Sequence, residues 1–354
     1  MRNRNRLLAT LLAVLFTLTA CTAAPKADHA STSTDTHTSA NEAPVTKKAL
    51  KVGYLNVMDD AQAMLAADGG FYAKQGLDVE LVLFSSGTDL IKAMVGGKLD
   101  AGVLGFTNAV TWAAQGADLK VVGGAQMGYH SILVRKDSGI TTVADLKGKR
   151  LASQKAGSTA DIVLNGVVLP QAGLAREDLA MVYVEPAQAL QSLASGQVDA
   201  AFVFEPYEQI AKSTQDVAAI YEIGKVWPFP CMVVITTGEQ LTEDRDAIDR
   251  LLTAQKQAME MMQQHPQEAA KLIYKRFVAE EELTGPSGKV PAVDVIQKAI
   301  ETQMFHWDIT EDDIKKMEEI VTIMMDQGVL KQKVEVRPLL DLTWQQNQPA
   351  AAGH

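Results

Sequence analysis

From residue 50 onward, short apolar runs alternate with segments of helical period. Residues 50–57, 79–84, 101–106 and 119–123 have the length and β-branched content of buried strands. Helices are predicted between them at 61–68, 89–95 and 109–115, the second capped by the polar turn Ser85-Ser86-Gly87-Thr88. A second series of strands falls at 131–134, 150–153, 181–184, 198–204 and 218–223. Its helices are a short one at 142–146 and a longer one opening at 155–161 and closed by Gly173. Residues 227–231, with two prolines, form a stiff loop before a strand at 232–236. Beyond Glu239 the pattern is helical, with Ile248, Leu251, Leu252, Met259 and Met262 on one stripe. Helices at 269–277, 295–304 and 311–326 and an extended tail at 334–344 complete the chain. Strands alternating with helices predict the α/β class.

Two stretches share one design. Residues 90–108 read LIKAMVGGKLDAGVLGFTN, and residues 190–207 read LQSLASGQVDAAFVFEPY. Gly97 matches Gly196, Asp100 matches Asp199 and Ala101 matches Ala200. Each is a helix, a glycine suited to a left-handed C-cap, then an apolar strand. One strand ends at Thr107-Asn108 and the other at Glu205-Pro206. In open α/β sheets such ends face a crevice. The repeat predicts two similar lobes offering strand ends to a shared cleft.

Residues 1–21, MRNRNRLLATLLAVLFTLTAC, place arginines before an apolar run from 7 to 18. That run is shorter than the roughly 18–20 residues that span a bilayer, so it is a signal segment. Leu18-Thr19-Ala20-Cys21 resembles a bacterial lipobox, in which Cys21 is diacylated and becomes the new N-terminus; two acyl chains anchor stably. Residues 22–48, rich in Ala, Ser, Thr and Pro, form a flexible tether. The protein is then expected in the cell envelope, lipid-anchored on the extracytoplasmic face of the membrane.

The formal net charge of −10 becomes more negative once the leader, with three arginines and no acid, is removed. That balance excludes nucleic acid as a partner. Of the two cysteines, Cys21 is committed to lipid, which leaves Cys231 without a disulfide partner. The six histidines are scattered, so neither a metal site nor a cofactor is expected.

Several segments resemble one family, the ABC-transporter substrate-binding proteins of the aliphatic-sulfonate, taurine and nitrate type, with the thiamine-precursor binders beside them. They are Val52-Gly53-Tyr54, the run 70–81 (GFYAKQGLDVEL), 93–100, 144–149 (ADLKGK), 196–200 (GQVDA), Glu205-Pro206-Tyr207, 308–311 and 327–329. Together they cover nearly all of 49–345. The resemblance implies a two-lobed type II periplasmic-binding-protein fold with two hinge crossovers. Lobe 1 would hold 49–130 and 232–345, lobe 2 would hold 131–231, and 346–354 would be a disordered tail. It also implies a monomer that closes over a small solute and presents it to a membrane permease and its ATPase.

Candidate cleft residues follow from the strand ends. Ser158 and Thr159 follow Gly157 at a helix start, where free N–H groups suit an anion, although Ser158-x-x-Asp161 is also a capping pattern. Lys155 could add charge. Glu205 stands at a strand end, with capping of the next helix as its structural alternative. Thr107 and Asn108 are its counterparts, with Ser86 and Gly87 at a neighbouring tip. Asn56, Met58, Asp59 and Asp60 follow the first strand; one aspartate caps the helix while the other faces the cleft. Gln126 and Met127 lie near the hinge, and Trp227 and Phe229 could wall the ligand. Ser158 and Thr159 point to an anion, whereas Asp59, Asp60 and Glu205 point to an amine or hydrogen-bonding heterocycle. Two alternatives stand beside the receptor: an enzyme on the same fold, against which no nucleophile–base grouping appears, and an envelope solute sensor.

Overall fold

The computed structural model describes residues 47–348. The expected signal segment with Cys21, the tether up to residue 46 and the tail from 349 lie outside the described residues. Strands β1 (Lys48–Leu55), β2 (Leu77–Phe84) and β3 (Ala101–Gly105) run parallel with β1 in the middle. Helix α1 (Ala61–Asp68) links β1 to β2, and α2 (Gly87–Val95) links β2 to β3. Helix α3 (Phe106–Ala113) starts directly on β3, three residues earlier than the pattern predicts, and leads to β4 (Lys120–Met127). The chain then enters a second sheet through β5 (His130–Arg135), β6 (Arg150–Ser153), β7 (Ala180–Tyr183), β8 (Ala200–Phe204) and β9 (Val217–Glu222). Its helices include α4 (Thr159–Val163), α5 (Pro186–Ala194) and α6 (Tyr207–Thr214). Strand β10 (Pro230–Thr236) returns to the first sheet, antiparallel between β3 and β4.

Long helices α7 (Gly238–Gln264), α8 (Pro266–Ile273), α9 (Ala292–Thr302) and α10 (Glu311–Asp326) close the chain. Between them lie a hairpin, β11 (Glu282–Gly285) with β12 (Gly288–Pro291), and the two-residue β13 (Met304–Phe305). The sheet orders are β13-β4-β10-β3-β1-β2 and β7-β6-β8-β5-β9. Central β3 and β10 are buried throughout, whereas edge strand β2 exposes Leu83 and alternate acids. The tail is not plainly extended: Leu340 bridges Val121 in parallel, and Thr343–Gln346 is a helical turn with Trp344 buried.

Two crossings join the sheets, at 128–129 and 227–229. The Gly128 N–H donates to the Phe229 carbonyl at 2.7 Å, tying one to the other. A Cβ on Gly128 would lie 2.1 Å from the buried Phe229 ring, so only glycine fits. Phe229 is therefore hinge core rather than ligand wall.

The repeated design has a structural job at the opposite end of the strands. Gly97 and Gly196 adopt φ of 68° and 72°, closing α2 and α5. Asp100 accepts the Lys51 N–H at 2.6 Å, and Asp199 accepts the Arg150 N–H at 2.8 Å, each 49 residues back. Each aspartate fastens the start of its strand to the neighbouring strand, to the middle of β1 in one sheet and the first residue of β6 in the other, and Arg150 holds Asp199 down to about 2. The strand ends are thereby left to do something else.

Candidate functional site

The carboxyl ends of β1, β2 and β3 meet those of β6, β7 and β8 across a cleft of about 410 Å³. Its first wall carries Leu55, Val57, Asp59, Ser86, Gly87, Asp89, Lys92, Gly105 and Asn108, with Cys231 and Met232 from the start of β10. The second carries His130, Gln154, Lys155, Ala156, Gly157, Ser158, Thr159, Val184, Glu185 and Phe204. The walls touch at the base. Thr107 Oγ1 lies 2.6 Å from Thr159 Oγ1, and a Cβ on Gly105 would meet the same hydroxyl at 2.6 Å. Nearby, the Met58 N–H donates to the Glu205 carbonyl at 3.3 Å.

Each wall presents a Ser-x-x-Asp helix start. Ser86 Oγ accepts the Asp89 N–H at 3.2 Å, and Ser158 Oγ accepts the Asp161 N–H at 3.3 Å. Capping and cleft lining are therefore one feature, not alternatives. The exposed cations Lys92 and Lys155 stand at the edge, and Lys92 is 3.7 Å from Asp89.

The deep part is different. The two adjacent aspartates split their roles. Asp60 folds back so that Oδ2 accepts the Leu55 N–H at 2.7 Å, which closes the turn after β1. Asp59 lines the cleft, 4 % exposed, with Oδ1 buried and unpartnered. Burial pushes its carboxyl up to about 7. Opposite it, His130 is buried with its ring against Phe202 at 5.4 Å and Phe204 at 5.8 Å, and its Nδ1 has no partner. Burial pulls that imidazole down to about 4, so it is neutral at pH 7. Burial raises the Cys231 thiol well above its usual range.

Among the expected residues, the structure brings Asp59, Ser86, Gly87, Asn108, Lys155, Ser158 and Thr159 together on the cleft. The others stand elsewhere. Glu205 is buried behind the wall and caps α6: Oε2 accepts the Gln209 N–H at 3.1 Å and Oε1 accepts Thr302 Oγ1 at 2.8 Å. Burial, with the charge of Glu208, pushes it up to about 8. Thr107 is spent on Thr159, and Asn56 donates to the Arg276 carbonyl at 2.8 Å on the surface. Met58 is fully buried. Gln126 is buried and donates to Gln303 Oε1, and Met127 pairs with Met304 at the hinge. Trp227 lies in a separate apolar groove beside Ile323, with Lys316 Nζ 4.7 Å above its ring. Sequence reasoning passed over His130, Glu185, Phe204, Cys231 and Met232. His130 and Cys231 sit at the starts of antiparallel strands, which a search of strand carboxyl ends does not visit.

Two mixed sheets joined by two crossings, with one cleft between facing strand ends, define the two-lobed periplasmic binding-protein architecture. The periplasmic aliphatic sulphonate binding protein SsuA from Escherichia coli superposes with a TM-score of 0.69 at 23 % identity, covering 82 % of this chain and 96 % of that one. By sequence, the chain belongs to the NMT1/THI5-like family, whose model matches residues 58–269. A putative aliphatic sulfonates-binding protein of Bacillus subtilis (strain 168) is 27 % identical over 351 residues, 95 % of each chain. A putative binding protein of Brucella abortus (strain 2308) is 24 % identical over 231 residues, 64 % of this chain and 70 % of that one.

Proposed function

We propose that this chain is the solute-binding component of an ABC importer, a lipoprotein tethered through Cys21 that captures a small polar organic solute between its lobes and delivers it to a membrane permease. The observation that carries the reading is the convergence of strand ends from both sheets on one cleft, with two buried polar side chains, Asp59 and His130, unpartnered at its base. A fold that buries polar atoms without partners gains when a ligand supplies them. Ser86, Asn108, Ser158 and Lys155 are the polar contacts of the outer half, and Thr159 lies at the base. The sulfonate-binding names of relatives support the solute class of such a receptor, and a relative from Haemophilus influenzae named a putative thiamine biosynthesis protein supports thiamine-precursor-like heterocycles.

A receptor accounts for the site better than an enzyme. Cys231 is held as a neutral thiol, a poor nucleophile, and His130 is too weak a base at neutral pH to activate it. The test is a thermal-shift panel of taurine, ethanesulfonate, nitrate and amino-heterocycles. One class is expected to raise the melting temperature, with no product after prolonged incubation; conversion of the bound compound would replace receptor with enzyme. Cys21→Ala is expected to move the protein from the membrane to the soluble fraction, and unchanged membrane recovery would remove the anchor.

A further inference from the structure

The two walls of the cleft open their helices with the same Ser-x-x-Asp pattern but use the aspartates differently. Asp89, on the first wall, is exposed, and its partners Ser86 and Lys92 belong to its own helix and cap. Asp161, on the second, is buried and spends both carboxyl oxygens on the elements around it. Oδ2 accepts the Gly157 N–H at 2.8 Å. Oδ1 accepts the Tyr183 hydroxyl at 3.0 Å and Asn165 Nδ2 at 3.0 Å. The Tyr183 oxygen in turn accepts two N–H groups of Arg176, at 2.9 and 3.2 Å. Hydrogen bonds to charged groups are the stronger ones, and a chain of them polarises its members. These partners matter through what they adjoin. Gly157 closes the exposed turn 155–157, which forms part of the cleft wall, and it does so at a φ of 80°. Tyr183 ends β7, and Val184 and Glu185 after it line the same wall. On α4 itself, Thr159 meets Thr107 of the first lobe, and the Ile162 carbonyl accepts Gln327 Nε2 at 2.9 Å from the end of α10. Asp161 thus sits where the turn, the strand end and the contact between lobes come together.

We propose that Asp161 is the positioning residue of the second wall: from behind the lining, it fixes the 155–157 turn and the 184–185 strand end at one spacing from the contact between lobes, while Tyr183 and Arg176 hold its carboxyl in place. This rests on the cleft being a solute site. An exposed turn left to choose among conformations is ordered anew each time a solute binds, at a cost in affinity. A turn fastened beforehand does not carry that cost.

The experiment compares the full-length protein with Asp161→Ala, Tyr183→Phe and the double variant. It reads amide hydrogen exchange at residues 154–158 and isothermal titration with ethanesulfonate and 4-aminopyrimidine. Asp161→Ala is expected to speed exchange at Gly157 at least about tenfold, with exchange in β5 and β8 of the same lobe unchanged, and to weaken whichever probe binds by at least about tenfold. Tyr183→Phe is expected to give a smaller loss in both readouts. The double variant is expected to match Asp161→Ala, because Tyr183 acts through Asp161. Losses that add, or exchange that rises throughout the lobe, would make the network ordinary packing and overturn the assignment. Wild-type exchange and affinity in Asp161→Ala would also overturn it and leave the receptor standing. If Asp161→Ala does not fold, Tyr183→Phe decides alone, and unchanged exchange at Gly157 overturns the assignment. If neither probe binds the wild type, the receptor loses support, and exchange at Gly157 decides the role of Asp161.

Discussion

Asp59 is buried in the cleft with Oδ1 unpartnered, at the expense of stability, and the expense depends on pH. Its carboxyl ionises at 3.8 in the unfolded chain and about 7 in the folded one. The folded protein thus holds the proton more tightly, and stability falls as pH rises between those two values. At about 1.36 kcal/mol per unit, the deficit is about 1.6 kcal/mol at pH 5 and about 4 kcal/mol at pH 8. Asp59→Asn removes the titration while keeping the shape. Its uncharged amide carries its own cost of roughly 1–3 kcal/mol for unpaired polar atoms, but that cost does not change with pH. The difference in stability between variant and wild type is therefore expected to move by about 2.5 kcal/mol in favour of the variant from pH 5 to pH 8. For a folded region of about 300 residues, with unfolding entropy near 2.1 cal/mol/K per residue, this is about 4 °C. Asp60, also buried and titrating high, is present in both proteins and cancels apart from its repulsion with Asp59, which adds to the effect. Calorimetric melting of both ligand-free proteins at the two pH values reads the quantity directly. A melting-temperature difference that is flat with pH would show that Asp59 is not a buried, unpaired acid.

Other expectations follow from the same geometry. Gly105→Ala puts a Cβ 2.6 Å from Thr159 Oγ1, so the lobes can no longer meet at the base; solute affinity is expected to drop at least about tenfold, read by titration, with melting temperature nearly unchanged. Asp199→Ala leaves the Arg150 N–H of the β6 start without its acceptor and is expected to cost about 1 kcal/mol in urea melts, with Asp100→Ala similar in the other lobe. Cys231 is 2 % exposed on the cleft wall with a raised thiol, so alkylation at pH 8 is expected to be slow and to slow further when a solute holds the lobes together; labelling as fast as that of a free thiol would contradict its burial.

Much of this was legible in the sequence, for identifiable reasons. Central strands such as 101–105 and 200–204 are apolar runs between glycine and polar tips, and period alone finds them. The Gly-x-x-Asp-Ala repeat pointed to two related lobes, although its aspartates serve the strand starts and not the cleft. Short elements escaped. The hairpin at 282–291 is mostly exposed and has no apolar period, and β13 exists only through pairing with β4. The cleft was half legible. Ser86 and Ser158 carry a capping signature that places them at helix starts, and these helices happen to face each other. Asp59 and Asp60 could not be separated, because which carboxylate turns back to Leu55 depends on a turn geometry that two adjacent identical residues do not encode. Glu205 and Thr107 lie at strand ends, yet burial and lobe-to-lobe hydrogen bonds absorb them. His130 entered only through sheet pairing, since β5 is antiparallel to β8 and brings its first residue opposite Phe204.

A solute held between two lobes can enter only if the lobes part. Thr107 and Thr159, whose hydroxyls touch at 2.6 Å across the base, allow this to be tested with the double variant Thr107→Cys/Thr159→Cys. Oxidised before any solute is added, the stapled protein is expected to lose binding of whichever panel compound stabilises the wild type, and to regain it on reduction. Equal association rates for the stapled and reduced forms would mean that the solute reaches the protein by some other route.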